Sequence, residues 1–437
     1  MVRPRRCSKH TASMFVEPIH ATCLRMEGHV ASSCPLRGGA TYIRFTPTYS
    51  IGSIAPHSSC TMDIFDADRD NPPDYRHYRK DNATVMPAIH SSYMQYSSKD
   101  DVQNVLLKHN FSGFGDFNFL SQDGAYVYDA ALYSAGGAEL NIEKSKQKTP
   151  GIWDRRPDTT LMSDSGGFQV YKGLWSPREY YDKREKILRW QEEISDIGIA
   201  MDVPSGSVSS KKAKAIRTFD DALHWSKINF DWQVRNRRPE KMRLLNVVQG
   251  LKADGPTGVM RWYDEVKRYC NRDKLGDQAF DGWSFGGYAA RNTKTLLRVI
   301  SRMRNDGLLG KKSKHRWIHI LGVTSIKRVA TFTLLQRALR KLLDDDEFTI
   351  SCDSSNPCFA VGTKGNYYGE GPPNIIQRKV LHAAWFEPSC GLDCRVHCTP
   401  TNSDCGPCVE ERLKGMFGFL GTSTVNIRLF QAGCLLA

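Results

Sequence analysis

The sequence predicts an α/β fold, a (β/α)8 barrel of the TIM type, on three observations. Short apolar runs end in polar or glycine-rich clusters. Segments with helical spacing alternate with them, and the chain of 437 residues, 40% hydrophobic, is long enough for one barrel of roughly 250 residues plus smaller additions. Repeated strand–helix alternation implies a parallel sheet, and so many repeats favour closure into a barrel; an open doubly wound sheet is the competing arrangement.

Six runs carry the strand signal: TTLMSDSGGF, IGIAMDVPSG, RLLNVVQG, DGWSFGG, WIHILGV and FTISCDSS. Each reads as a strand buried on both faces, followed by its C-terminal loop. Helical spacing fills the gaps at Arg184 to Ser195, Thr218 to Arg235, Pro256 to Cys270, Thr293 to Arg304 and Ser325 to Leu343. In the last, Val329, Phe332, Leu335, Ala338 and Leu342 are predicted to form one apolar face, with Arg and Lys opposite. Residues before about Asn82 show no sustained period, and the run DADRDNPPDYRHYR is strongly polar. These signals divide the chain into an N-terminal extension over 1–95, a barrel over 96–385 and a C-terminal subdomain with a helix or tail over 386–437.

A net charge of +14 and a pI near 9.1 suit a polyanionic partner, although a solvated basic surface explains the charge equally well. Arg291, Arg298, Arg302, Arg304, Lys311, Lys312 and Lys314 are the basic residues marked for phosphate contact, against the plainer reading of a solvated helix face. No run reaches the roughly 18 to 20 apolar residues of a membrane span, and the basic start lacks the apolar stretch of a secretory signal. The expectation is a cytoplasmic, reducing location, where the 13 cysteines read as buried thiols and metal ligands.

In such a barrel the active site forms from loops at the C-terminal ends of the strands. Asp164, Asp202 and Asp353 each follow an apolar strand. Singly, any of them reads as a helix cap or turn residue; together they suggest a shared pocket. Paired carboxylates suit glycosidic-bond chemistry, one as nucleophile and the other as acid/base. Gly166 and Gly167 permit close backbone approach, and Phe168 is either a stacking face or a core aromatic. Gln249 offers a donor and an acceptor to a purine edge, while Gly286 and Gly287 can present backbone N–H groups.

The motifs DSGGFQV, IAMDVP, VVQG, WSFGGYA, HILGVTS and CDSS occur in the order found in tRNA-guanine transglycosylases, which the chain resembles over about Thr159 to Cys408. SDIGIAMDVPSG and CDSSNPCFAVGTKGNYY are similar to segments of the archaeosine branch, and the likeness extends to DNA-modifying transglycosylases of the DpdA type. The resemblance implies a guanine transglycosylase that takes preQ0, a 7-deazaguanine, with Asp353 as nucleophile on C1′ and Asp164 as acid/base. It further implies that Asp202 binds the N1/N2 edge, that Gln249 and the amides near Gly286 and Gly287 hold O6, and that Phe168 and Leu321 sandwich the ring.

In CGLDCRVHCTPTNSDCGPC, the pair Cys405 and Cys408 has zinc-ligand spacing. The family has a zinc subdomain at this place with a Cys-x-Cys-x-x-Cys pattern and a later His. Here Ser403 replaces the first of those cysteines and no His follows His397, so Cys394 and Cys398 are assigned as the upstream ligands, with Cys390 or His397 as substitutes. A zinc-binding subdomain near the C-terminus is therefore part of the expected fold.

The N-terminal sheet of tRNA-acting relatives is not recognisable in residues 1–158, and the residues after Cys408 leave no room for the RNA-binding domains typical of archaeosine enzymes, so DNA is expected over tRNA as the polymer. The DNA-acting type also implies partner proteins of a modification system. A tRNA-acting enzyme, a noncatalytic nucleic-acid-binding subunit and a hydrolytic glycosidase are the alternatives.

Overall fold

The computed structural model describes residues 81–355, apart from 109–111, 123, 125, 126 and 324, together with 366–369 and 376–379. Eight parallel strands form one sheet: β1 (Thr84–Pro87), β2 (Ala130–Ser134), β3 (Thr160–Asp164), β4 (Ile197–Ile199), β5 (Arg243–Val248), β6 (Gly282–Phe285), β7 (Trp317–Ile320) and β8 (Thr349–Ser354). Each strand from β2 to β8 pairs with its successor or predecessor, and β8 pairs with β1. The remaining seam, between β1 and β2, is narrowed by a parallel bridge from Ala88 to Leu132 and by the Ile89 N–H donating to the Leu132 carbonyl at 2.8 Å. The result is a nearly closed α/β barrel, and a separate antiparallel pair joins β9 (Asn366–Gly369) to β10 (Ile376–Lys379).

Seven main helices connect the barrel strands: α1 (Asp100–Lys108), α2 (Ile142–Lys148), α3 (Arg184–Ile194), α4 (Phe219–Asn236), α5 (Gly255–Val266), α6 (Thr293–Asn305) and α7 (Ile326–Leu343). Their starts are written in the sequence. Thr218 and Asp221 form a reciprocal capping box on α4, and the Asn292 side chain accepts from the Thr295 N–H on α6. On α6 the buried residues Leu296, Val299, Ile300 and Met303 recur at the spacing of one helix face.

The face predicted for α7 needs correction. Val329 and Phe332 are buried, but Ala338 is exposed and Leu342 is 54% exposed. Steps of three residues turn about 300°, so a run written at 329, 332, 335 and 338 drifts about 180° around the helix. The buried stripe instead passes through Thr333, Gln336 and Leu339. Gln336 fastens α7 to the barrel, accepting from the Ile350 N–H at 2.6 Å and donating to the Asn82 carbonyl at 3.1 Å.

The two strands that periodicity did not mark are β1 and β2. The barrel begins at Thr84, inside the segment 1–95 expected to be an extension. All four residues of β1 are buried, as are the first four of β2. Cys270 and Cys352 are buried thiols. Among the described residues no helix is long and apolar enough to cross a membrane. Cys390, Cys394, His397, Cys398, Ser403, Cys405 and Cys408 lie outside the described residues.

Candidate active site

Strand β3 ends on Asp164, whose Oδ2 accepts from the Ser134 hydroxyl at 2.8 Å and the Gly166 N–H at 3.3 Å. Parallel register puts Ser134, the last residue of β2, directly beside it. The chain then turns through Gly166 in a left-handed conformation, φ 87°, into the short helix Gly167–Tyr171. A methyl group on Gly167 would lie 2.7 Å from the Asp202 carbonyl oxygen, so the second glycine lets the β3 and β4 loops touch. Tyr180 reinforces this junction: its hydroxyl donates to Ser165, and the Ser165 hydroxyl donates to the Ala200 carbonyl.

Asp202 is 7% exposed at the end of β4. Burial, followed by repulsion from Asp164, raises its carboxyl to about 7. Asp164 is also shifted upward, by burial first, with the Asp353 charge adding to it against the hydrogen bonds it accepts. The three carboxylates are thus linked through space, Asp202 to Asp164 and Asp164 to Asp353.

Gln249, at the end of β5, orients Asp202. Its Nε2 donates to Asp202 Oδ2 at 2.7 Å and to the Val203 carbonyl at 3.1 Å, while Oε1 accepts from the Ser205 N–H at 2.6 Å. Both hydrogens of its carboxamide are engaged by protein, so donation to a purine acceptor would require exchanging one of these bonds.

Asp353 projects from β8 and is 8% exposed. Its Oδ1 accepts from the Gly322 N–H at 2.7 Å, and His319 Nε2 lies 3.4 Å from the same oxygen, longer than a full hydrogen bond. Both contacts fall on Oδ1, leaving Oδ2 without a partner among the described residues. His319 is fully buried, and its Nδ1 sits 2.8 Å from the Ser351 hydroxyl, which accepts from the Trp317 indole N–H at 2.8 Å. An indole can only donate, so the Ser351 hydrogen is available to His319 Nδ1, an arrangement in which the imidazole hydrogen would sit on Nε2, facing Asp353. Sequence reasoning missed His319; its place two residues before Leu321 on a strand ending in the site was the available signal.

The other expected site residues are distributed as follows. A methyl on Gly286 would lie 3.5 Å from Leu321 Cδ1 and 3.9 Å from Gln249 Cβ, which places β5, β6 and β7 residues around one point. The Gly286 N–H donates to Val248, extending the strand ladder, whereas Gly287 opens a short helix, where first-turn N–H groups have no intrahelical acceptor. Phe168 is 54% exposed and stacks on Tyr171, with ring centroids 5.3 Å apart, so it is not a core aromatic. Of the marked basic residues, Arg302 pairs with Asp306 and Asp264, and Lys314 approaches Asp277 at 3.9 Å. All seven are exposed.

Fold and site together define an α/β barrel whose C-terminal mouth gathers three buried or half-buried carboxylates in different environments. No family model matches the chain, and no curated protein matches it. Among the described residues no cluster of His, Cys, Asp and Glu has the makings of a metal site.

Proposed function

We propose that the chain is a guanine transglycosylase that exchanges a guanine in DNA for the 7-deazaguanine preQ0 through a covalent glycosyl-enzyme. The observation that carries this reading is the division of labour among Asp353, Asp164 and Asp202. Asp353 has one oxygen held by Gly322 and the other without a partner among the described residues. Asp164 keeps its proton to higher pH than an ordinary carboxyl. Asp202 sits at the same mouth, held by Gln249. Environments that separate two carboxyl groups in this way assign one as nucleophile and the other as acid.

In the first half-reaction Asp353 Oδ2 bonds to C1′ as the C1′–N9 bond breaks, and Asp164 gives its proton to the departing guanine. In the second, N9 of the incoming 7-deazaguanine displaces Asp353 from C1′ and its N9 proton passes to Asp164. Asp202, when ionised, accepts from the N1 and N2 hydrogens of the base. The Gly287 N–H supplies the O6 side, with Leu321 and Phe168 as apolar faces. A target base in a duplex must first leave its stack, at a cost of about a few kcal/mol. Cys394, Cys398, Cys405 and Cys408 are proposed as ligands of a structural zinc on their spacing alone, and they take no part in the exchange.

The test supplies labelled preQ0 with duplex DNA and with tRNA in parallel, for wild type and Asp353→Ala. The expected result is label in DNA, a denaturation-resistant adduct in wild type, and neither in the variant. Label in tRNA alone reassigns the polymer. Base release without insertion points to a hydrolase, and exchange undiminished in Asp353→Ala refutes the nucleophile.

A further inference from the structure

We infer that the surface formed by Phe168, Tyr171, Leu174, Lys172, Lys211 and Lys212 binds the single-stranded polynucleotide that flanks the reacting nucleoside; this rests on the base-exchange reading of the adjoining mouth. Phe168, Tyr171 and Leu174 are 54%, 38% and 65% exposed, and they account for three of the seven large hydrophobic side chains exposed among the described residues. Scattered exposed hydrophobics need no explanation, whereas three within seven consecutive positions form a patch.

The patch is built to stack. The Phe168 and Tyr171 rings lie within 14° of parallel, and Lys172 Nζ stands 4.8 Å from the Phe168 centroid. A second segment is fixed against this helix. The Ser210 hydroxyl donates to the Tyr171 carbonyl at 2.7 Å, and a methyl on Gly173, φ 68°, would lie 2.4 Å from the Lys212 carbonyl oxygen. Only a glycine there lets the two backbones meet. The contact holds Lys211 and Lys212 beside the aromatic pair.

Charge identifies the occupant. From Ser205 to Arg217 the chain carries four cations and no acid, and Lys172, Lys211 and Lys212 have no ion-pair partner among the described residues. The acids that follow these lysines in sequence are engaged, Glu179 in the capping box with Ser176, Asp182 with Arg178, Asp220 with Arg261 and Asp221 in the capping box with Thr218. Uncompensated lysines beside exposed, stacked aromatics are the combination that binds single strands, cations on phosphates and bases on rings. Position agrees: one segment continues directly from Asp164 and the other from Asp202. A strand crossing both would deliver its nucleoside to the carboxylates.

The experiment measures fluorescence anisotropy of labelled oligothymidylate, oligouridylate and a blunt DNA duplex, each about 15 nucleotides per strand, with the full chain at several salt concentrations. Tyr171→Ala should weaken single-strand binding about tenfold or more, and Tyr171→Trp should restore it. Lys211→Ala with Lys212→Ala should lower the slope of log affinity against log salt by about 1.4, two phosphates at roughly 0.7 each. Comparing the thymidylate and uridylate arms identifies the polymer.

Unchanged affinity in both variants overturns the proposal. So does tighter binding of duplex than of single strands with Tyr171→Ala without effect, or a Tyr171-dependent self-association in sedimentation with oligonucleotide binding intact. Since no base is exchanged in this measurement, single-strand binding by a chain that never incorporates preQ0 upholds the surface and rejects only the transglycosylase reading.

Discussion

Replacing Asp202 by Asn should stabilise the protein above neutral pH while removing base exchange. The Asp202 carboxyl is raised to about 7 by burial and by the neighbouring Asp164 charge. Its value in the unfolded chain is near 3.9, so at 1.36 kcal/mol per pH unit the fold carries a burden of about 4 kcal/mol once Asp202 is fully ionised. The sign follows from the raised value. The folded state binds the proton more tightly, so the favourable contribution is complete below about pH 3.9 and is lost as pH rises through 7. About half of that loss, roughly 2 kcal/mol, falls between pH 5.5 and 8.5. Asn cannot ionise, yet its carbonyl can still accept the Gln249 Nε2–H that now reaches Asp202 at 2.7 Å. Urea unfolding of wild type and Asp202→Asn at the two pH values should therefore show the advantage of the variant growing by about 2 kcal/mol at the higher pH. Exchange should vanish at both, since Asn would turn an N–H toward the N–H groups of the base. Parallel pH profiles for the two proteins would refute the raised carboxyl and, with it, the placement of Asp202 in a dry site.

Two further outcomes follow from the same network and from the cysteine spacing. His319→Ala should slow formation of the covalent adduct by up to about 10-fold, about 1 kcal/mol, since the 3.4 Å contact with Asp353 is weaker than a full hydrogen bond, while oligonucleotide affinity stays unchanged. His319→Gln, which can return an N–H toward Asp353, should recover part of the rate in rapid-quench measurements; equal rates in all three proteins would remove His319 from the mechanism. Purified protein should contain one zinc by elemental analysis, reduced by more than half in Cys405→Ser, and full zinc in that variant would show that the ligands lie elsewhere.

The readable part of the fold was the part in which strands and helices alternate in clear registers. β3 to β8 announced themselves because each is a short apolar run buried on both sides and closed by a glycine or polar cluster, as in GWSF before Gly286 and Gly287. β1 and β2 were hidden for local reasons. TVMP ends in a proline, and AALYS opens on two alanines, a residue depleted in strands. Their identity as strands comes from pairing with β8 and β3, a long-range relation to which local periodicity is blind. The α7 face failed for a local reason: buried polar Gln336 belongs to the stripe and exposed Leu342 does not, so hydropathy alone points the wrong way around the helix.

At the site, the sequence disclosed which residues stand at strand ends but not how their surroundings differ. Asp164, Asp202 and Asp353 look alike as letters after apolar runs. In the fold, one takes two hydrogen bonds on a single oxygen, one is desolvated until it titrates near 7, and one is held on one oxygen by a backbone N–H with a histidine beside it. Those differences arise from neighbours remote in sequence: Ser134 for Asp164, Gln249 for Asp202, Gly322 and His319 for Asp353. Gln249 shows the same principle from the other side. Its donor and acceptor atoms suggested a direct contact with a purine, yet Val203, Ser205 and Asp202 occupy them. A buried carboxamide whose hydrogens are all committed acts through the group that it positions, and here that group is Asp202, the carboxyl that burial raises to about 7.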